Sequence, residues 1–227
     1  MNRILVAHGT RKASGVALIG DIAGRVAEAL GAPVEVAFVD VLGPTPSEVL
    51  QTMPDRPAVL VPAFLARGYH VRSDIPTHVG ASGHADVTVA EALGPDPQLV
   101  RVLADRLIAS GWRPGDSVIL AAAGTSDPGA MRDLHLTATW LSALTGDRVD
   151  LAFAATGAPR IADAVATART RSRRRVVVAS YLLSEGLFQD RLRAGGADIV
   201  TDPLGTHPGL IRLIAGRFRR ARLPVAA

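Results

Sequence analysis

The chain has 227 residues, a length that suits one large α/β domain or two small ones, and its 48% hydrophobic and 20% charged content excludes a disordered chain and a fibrous repeat. Cysteine is absent, which removes disulfides, thiolate metal sites, iron–sulfur clusters and cysteine nucleophiles together and leaves histidine and carboxylates as the strong side-chain metal ligands. The formal net charge is +4, and of the 25 basic residues only Lys12 is a lysine. The arginine excess reads either as coding bias or as a preference for an anionic partner, because arginine holds carboxylate and phosphate in a planar fork. Nucleic acid is not expected, since aromatics are 4% and the arginines are mostly dispersed. Met1 to Ala7 run directly into a glycine-containing loop without the long apolar region of a signal peptide, and no apolar run approaches the roughly 20 residues that span a bilayer. A soluble cytoplasmic protein without membrane contact is expected.

Short apolar runs rich in β-branched residues alternate with longer amphipathic segments, the pattern of parallel strands joined by helical crossovers. In chain order the first half is expected to form strands at Ile4–Ala7, Val34–Val39, Ala58–Pro62 and Val87–Ala90, with helices at Ser14–Leu30, Pro46–Gln51, Asp74–Ser82 and Gln98–Ser110. The pattern then restarts, with strands at Val118–Ala122, Val149–Ala154, Arg175–Ser180 and Asp198–Thr201 and helices at Ala130–Leu144, Arg160–Arg171, Leu187–Arg193 and Leu210–Arg220. The restart also repeats residues. Ala7-His8-Gly9-Thr10 answers Ala122-Ala123-Gly124-Thr125, Phe64-Leu65 answers Tyr181-Leu182, and the segment from Ala92 to Leu99 answers that from Pro203 to Leu210. So long a period suits a duplicated domain rather than a solenoid. Two similar α/β lobes are expected, 1–112 and 113–227, each a parallel four-stranded sheet flanked by helices.

Ligands of open parallel sheets bind beyond the carboxyl ends of the strands. His8 follows strand one, Asp40 strand two, His70 lies in the loop after strand three, and Glu91 follows strand four. Two imidazoles and carboxylates on one rim can bind a divalent cation and accept protons. The second half offers Ala123 in place of His8, and Phe188 or Leu187 in place of His70, so it shares the scaffold but not the imidazole pair. That asymmetry favours chemistry over folding as the reason for the histidines. His78, His84, His135 and His207 read as incidental, and the runs Arg169–Arg175 and Arg217–Arg222 as solvated helix ends or, alternatively, an anion patch.

The stretch His8-Gly9-Thr10-Arg11, the strand end Phe38-Val39-Asp40, and Pro62-Ala63-Phe64-Leu65 running into Gly68-Tyr69-His70-Val71-Arg72-Ser73-Asp74-Ile75-Pro76 together resemble the class II tetrapyrrole chelatases, the sirohydrochlorin chelatases of the SirB and CbiX type. The resemblance implies insertion of Fe²⁺, or next Co²⁺, into sirohydrochlorin for sirohaem or cobalamin synthesis, without an organic cofactor, the metal being a substrate. It implies a chelatase-like pair of lobes with the macrocycle in the cleft between them. His8 and His70 match the family's metal-handling histidines, with Asp40, often Glu in the family, or Glu91 orienting them. Substrate carboxylates would meet Arg11 and Arg72 and the backbone of Gly9, Thr10, Gly124, Thr125 and Ser126. A duplicated chain is expected to build the whole site as a monomer, with a dimer left open. A non-catalytic tetrapyrrole or metal carrier, and an unrelated His8-dependent phosphoryl-transfer enzyme, remain as alternatives, the last without a P-loop or a Gly-x-Ser-x-Gly elbow.

Overall fold

The computed structural model describes residues 1–221, so Arg222 of the last arginine cluster lies outside the described residues. The first half runs β1 (Asn2–Ala7), α1 (Ala13–Leu30), β2 (Glu35–Phe38), α2 (Pro46–Thr52), β3 (Ala58–Pro62), a π-helical turn (His70–Asp74) leading into α3 (Ile75–Ser82), β4 (Val87–Val89) and α4 (Pro97–Ala109). The second runs β5 (Ser117–Gly124), α5 (Pro128–Thr145), β6 (Val149–Thr156), α6 (Ile161–Arg171), β7 (Val176–Tyr181), α7 (Leu187–Arg193), β8 (Ile199–Val200) and α8 (Pro208–Arg220). All ladders are parallel, in the orders β2-β1-β3-β4 and β6-β5-β7-β8, so the two halves repeat one topology. β3 and β7 are buried along their whole length, which is why they read as unbroken apolar runs rather than alternating ones.

Every expected strand and helix forms, with small shifts at the ends. Three shifts share a cause. The helices expected from Gln98, Ala130 and Leu210 begin instead on Pro97, Pro128 and Pro208, because a first-turn N–H has no partner inside the helix and proline loses nothing there. The shift with functional weight is at His70, which was expected in a loop and instead opens the π-helical turn, closed by the Ile75 N–H donating to the His70 carbonyl.

The compact units are not the sequence halves 1–112 and 113–227. One unit comprises Met1–Gly94 with the segment from Pro208 onward, the other Pro95–His207. Each half's last helix thus belongs to the other unit. Leu99, Val100, Leu103 and Leu107 are buried on α4, which packs on α5 and β7. Leu210, Leu213, Ile214 and Phe218 are buried on α8, which packs on α1 and β3. Where the chain leaves each unit, a Leu-Gly pair is pinned under the loop after the third strand. Leu93 and Gly94 N–H groups donate to the Phe64 carbonyl, and those of Leu204 and Gly205 to Leu182 and Leu183. These bonds explain the repeated Leu-Gly segments. A further repeat was not visible in the sequence: Phe38 N–H donates to Pro44 at 2.9 Å and Phe153 N–H to Pro159 at 3.0 Å, each proline following a cis peptide bond.

The arginine run before β7 is structural. Arg169 pairs with Asp198, Arg171 with Asp150, Arg174 with Asp147 and Arg175 with Asp116, tying α6 and β7 to neighbouring strand ends.

Candidate metal and substrate site

The first unit gathers its candidate residues at the carboxyl ends of β1, β2 and β3. His8 follows β1 directly, and its main chain is clamped to the next loop, with Val39 N–H donating to Ala7 at 3.0 Å and Asp40 N–H to the His8 carbonyl at 3.1 Å. Gly9 then takes φ +95°, and a Cβ there would lie 2.2 Å from the Asp40 carbonyl oxygen. Only glycine lets the two loops close this far. Val41, beside Asp40, has φ +70°, a conformation that β-branched residues rarely adopt.

His70 meets His8 edge to face, with ring centroids 4.6 Å apart and planes at 87°. Phe64 stacks on His70 at 5.8 Å and 28°, and Tyr69, 65% exposed, abuts it at 6.0 Å. His8 is exposed, its Nδ1 facing the Gly9 carbonyl at 3.2 Å. His70 Nδ1 lies 2.5 Å from the Asp74 Oδ2.

The carboxylates expected to orient the histidines do other things. Asp40 accepts from the Val41 N–H at 2.7 Å, closing its own turn. Glu91 pairs with Arg217 of α8 at 3.2 Å, where that arginine also donates to the Ala92 carbonyl. Among the described residues neither carboxylate bonds to His8 or His70. The carboxylate that touches the pair is Asp74, within the motif but not singled out as a site residue. Its signal was the four-residue spacing from His70, which gains meaning only once that segment is helical.

Arg11 and Arg72 flank the pair and are both exposed. Thr10 Oγ1 accepts from the Lys12 N–H that precedes α1. In the second unit Gly124 repeats the role of Gly9: at φ +113°, a Cβ would lie 1.8 Å from the Thr156 carbonyl oxygen. Thr125 accepts from the Asp127 N–H, and the Asp127 carboxylate accepts from Gly129 and Ala130 N–H groups, so the first turn of α5 already has an anion of the chain's own. Ser126 is exposed between them. The segment equivalent to the histidine turn is bonded down: Ser180 Oγ donates to Gln189 at 2.6 Å, and Gln189 donates to the Thr201 carbonyl at 2.9 Å, all three residues buried. Burial also pushes the Tyr181 hydroxyl well above its ordinary pKa.

The remaining histidines stand apart from the pair. His78 lies on α3, bonded to Ser47 of α2 at 3.2 Å, and His84 Nδ1 accepts from the Asp86 N–H. His135 is exposed on α5, and His207 approaches Asp105 at 3.6 Å.

A histidine pair on the carboxyl rim of one sheet, in a chain that repeats its parallel topology, agrees with the class II chelatase resemblance of the sequence. The CbiX family model matches residues 2–110 and again 117–221, and the chain belongs to that family. A sirohydrochlorin ferrochelatase of Priestia megaterium is 26% identical over 235 residues, spanning 95% of this chain and 88% of that protein. A sirohydrochlorin cobaltochelatase of Methanothermobacter thermautotrophicus is 30% identical over 127 residues, 46% of this chain but 88% of its own length. In fold, SirB from Bacillus subtilis with Fe³⁺ superposes with a TM-score of 0.80 at 20% identity, covering 97% of this chain and 96% of that one.

Proposed function

We propose that the chain inserts a divalent metal, Fe²⁺ first and Co²⁺ next, into sirohydrochlorin, with no organic cofactor, acting in the cytoplasm. The observation that carries this reading is the His8–His70 contact at 4.6 Å on the rim of the first sheet. Insertion requires water to be stripped from the metal, the ion to be delivered to one face of the ring, and two pyrrole protons to be removed. Neutral imidazoles bind borderline metals without holding them as thiolates would, and two protein ligands leave positions open for ring nitrogens. Asp40, exposed and hydrogen-bonded through its backbone to His8, supplies a carboxylate for proton transfer. Glu91 serves α8 through Arg217. Arg11 and Arg72 are assigned to the ring's carboxylates, which a guanidinium can grip bidentately. The charge of the substrate favours such partners, and Gly9 and Thr10 shape the loop that carries the first histidine.

The test mixes purified protein with sirohydrochlorin and Fe²⁺ or Co²⁺ and follows the absorbance change against a no-enzyme control. Acceleration is expected, together with its loss in a His8→Ala, His70→Ala double variant. Normal insertion by that variant overturns the reading, and binding of the macrocycle without acceleration makes the chain a carrier.

A further inference from the structure

We propose that Asp74 is the positioning residue for His70, and that through it His70 is the fixed member of the histidine pair. The inference rests on the chelatase reading and deepens it. His70 Nδ1 and Asp74 Oδ2 are 2.5 Å apart, both side chains partly buried at 30% and 24% exposure. The contact engages Nδ1 and leaves Nε2 as the ring nitrogen turned away from the carboxylate, the one available to a metal. The backbone makes this contact: the π-helical turn is wider than an α-helical one, so its fourth following residue returns almost over the first, and Asp74 comes to stand against His70. Such turns recur at functional sites. Phe64 stacks on the ring's face, so the imidazole is held at its edge by one residue and at its plane by another. Among the described residues, His8 bonds to no carboxylate. It is exposed, with its Nδ1 facing its neighbour's carbonyl at 3.2 Å.

The duplicated half supplies an internal comparison. Counting from the glycines that precede each segment, Gly68 and Gly186, His70 corresponds to Phe188 and Asp74 to Leu192. Leu192 is fully buried in the core of its unit. The histidine and the carboxylate are absent together, as expected if the carboxylate serves the imidazole and not the helix.

The test titrates the whole chain with Co²⁺ alone, reading the cobalt absorption bands, and measures insertion kinetics in parallel. Asp74→Ala is expected to weaken Co²⁺ binding about 10–100-fold and to lower kcat, with KM for sirohydrochlorin unchanged. Asp74→Asn, whose amide still offers Nδ1 a hydrogen-bond partner, is expected to retain most of the affinity. On a His70→Ala background Asp74→Ala is expected to add nothing, since the two residues act as one unit. Unchanged Co²⁺ affinity in Asp74→Ala overturns the inference, as does an equal loss with and without His70. If the double histidine variant binds Co²⁺ and inserts it normally, the chelatase reading itself fails, and this inference with it.

Discussion

At the scale of single residues, the site is shaped as much by what is missing as by what is present. Gly9 has no side chain, yet it decides where His8 stands, because the loop after β1 and the loop after β2 pass within a side chain's width of each other. Gly9→Ala asks for φ +95° and for a Cβ in the place of the Asp40 carbonyl oxygen. Either strain alone is of the order of 1–3 kcal/mol. The variant is expected to displace His8 and lower insertion at least about tenfold, while far-ultraviolet circular dichroism stays that of the wild type. Wild-type kinetics in Gly9→Ala would show that the two loops part without cost. The same geometry at Gly124, in the half without a histidine pair, shows that the repeated Gly-Thr motif records backbone packing. Its glycine was legible in the sequence; the reason for it was not, because close approach between two loops leaves no mark on periodicity.

At the scale of elements, the strands and helices were legible because their period and burial agree, and the residues that connect them were not. The run from Arg169 to Arg175 is the clearest case. By composition it is a basic patch, whereas in the fold four of its five arginines pair with Asp198, Asp150, Asp147 and Asp116. His70 shows the other side of the same limit: an apolar count over residues 70–74 cannot reveal a π-helical turn, so its carboxylate partner was out of reach. The ion pairs carry a pH signature. Asp198 accepts from the Val176 N–H at 2.7 Å and pairs with Arg169, which holds its pKa below the ordinary 3.8. Burial pushes Asp116 upward, but the Arg175 guanidinium and the Arg113 N–H outweigh it, and its pKa too is lowered from 3.8. A depressed carboxylate stabilises the fold fully above its unfolded value, and the contribution is lost as pH falls through the lower folded value. An Asp116→Asn, Asp198→Asn double variant is therefore expected to melt below the wild type at neutral pH, with the gap narrowing once pH drops under 3.8. Melting curves across that range check it, and a gap that stays constant into acid would show that these carboxylates act by packing alone.

At the scale of the whole molecule, duplication was readable from the repeated motifs, but the exchange of last helices was not: amphipathic spacing tells which face of α4 or α8 is buried and is silent on what buries it. The exchange has a consequence for the site. α8 carries neither site histidine, yet it closes the unit that holds them, setting Leu210, Ile211, Leu213, Ile214 and Phe218 among its buried residues and packing on α1 and β3. At roughly 1.5–3 kcal/mol for each fully buried side chain, its removal forfeits on the order of 7–15 kcal/mol, as much as a whole domain's usual stability of about 5–15 kcal/mol. A chain ending at His207 is therefore expected to lose amide-exchange protection through β1, β3 and α1, and Co²⁺ binding with it. Protection in β5 and β7 is expected to persist, since α4 still covers α5 and β7. Equal loss in both sheets would mean that the two units fold as one, and protection retained in β1 would mean that α8 is dispensable to the unit it completes. On the chelatase reading, the histidine pair of the first unit is thus expected to depend on the last helix of the second half, and a cut near residue 112 would part that helix from the unit it belongs to.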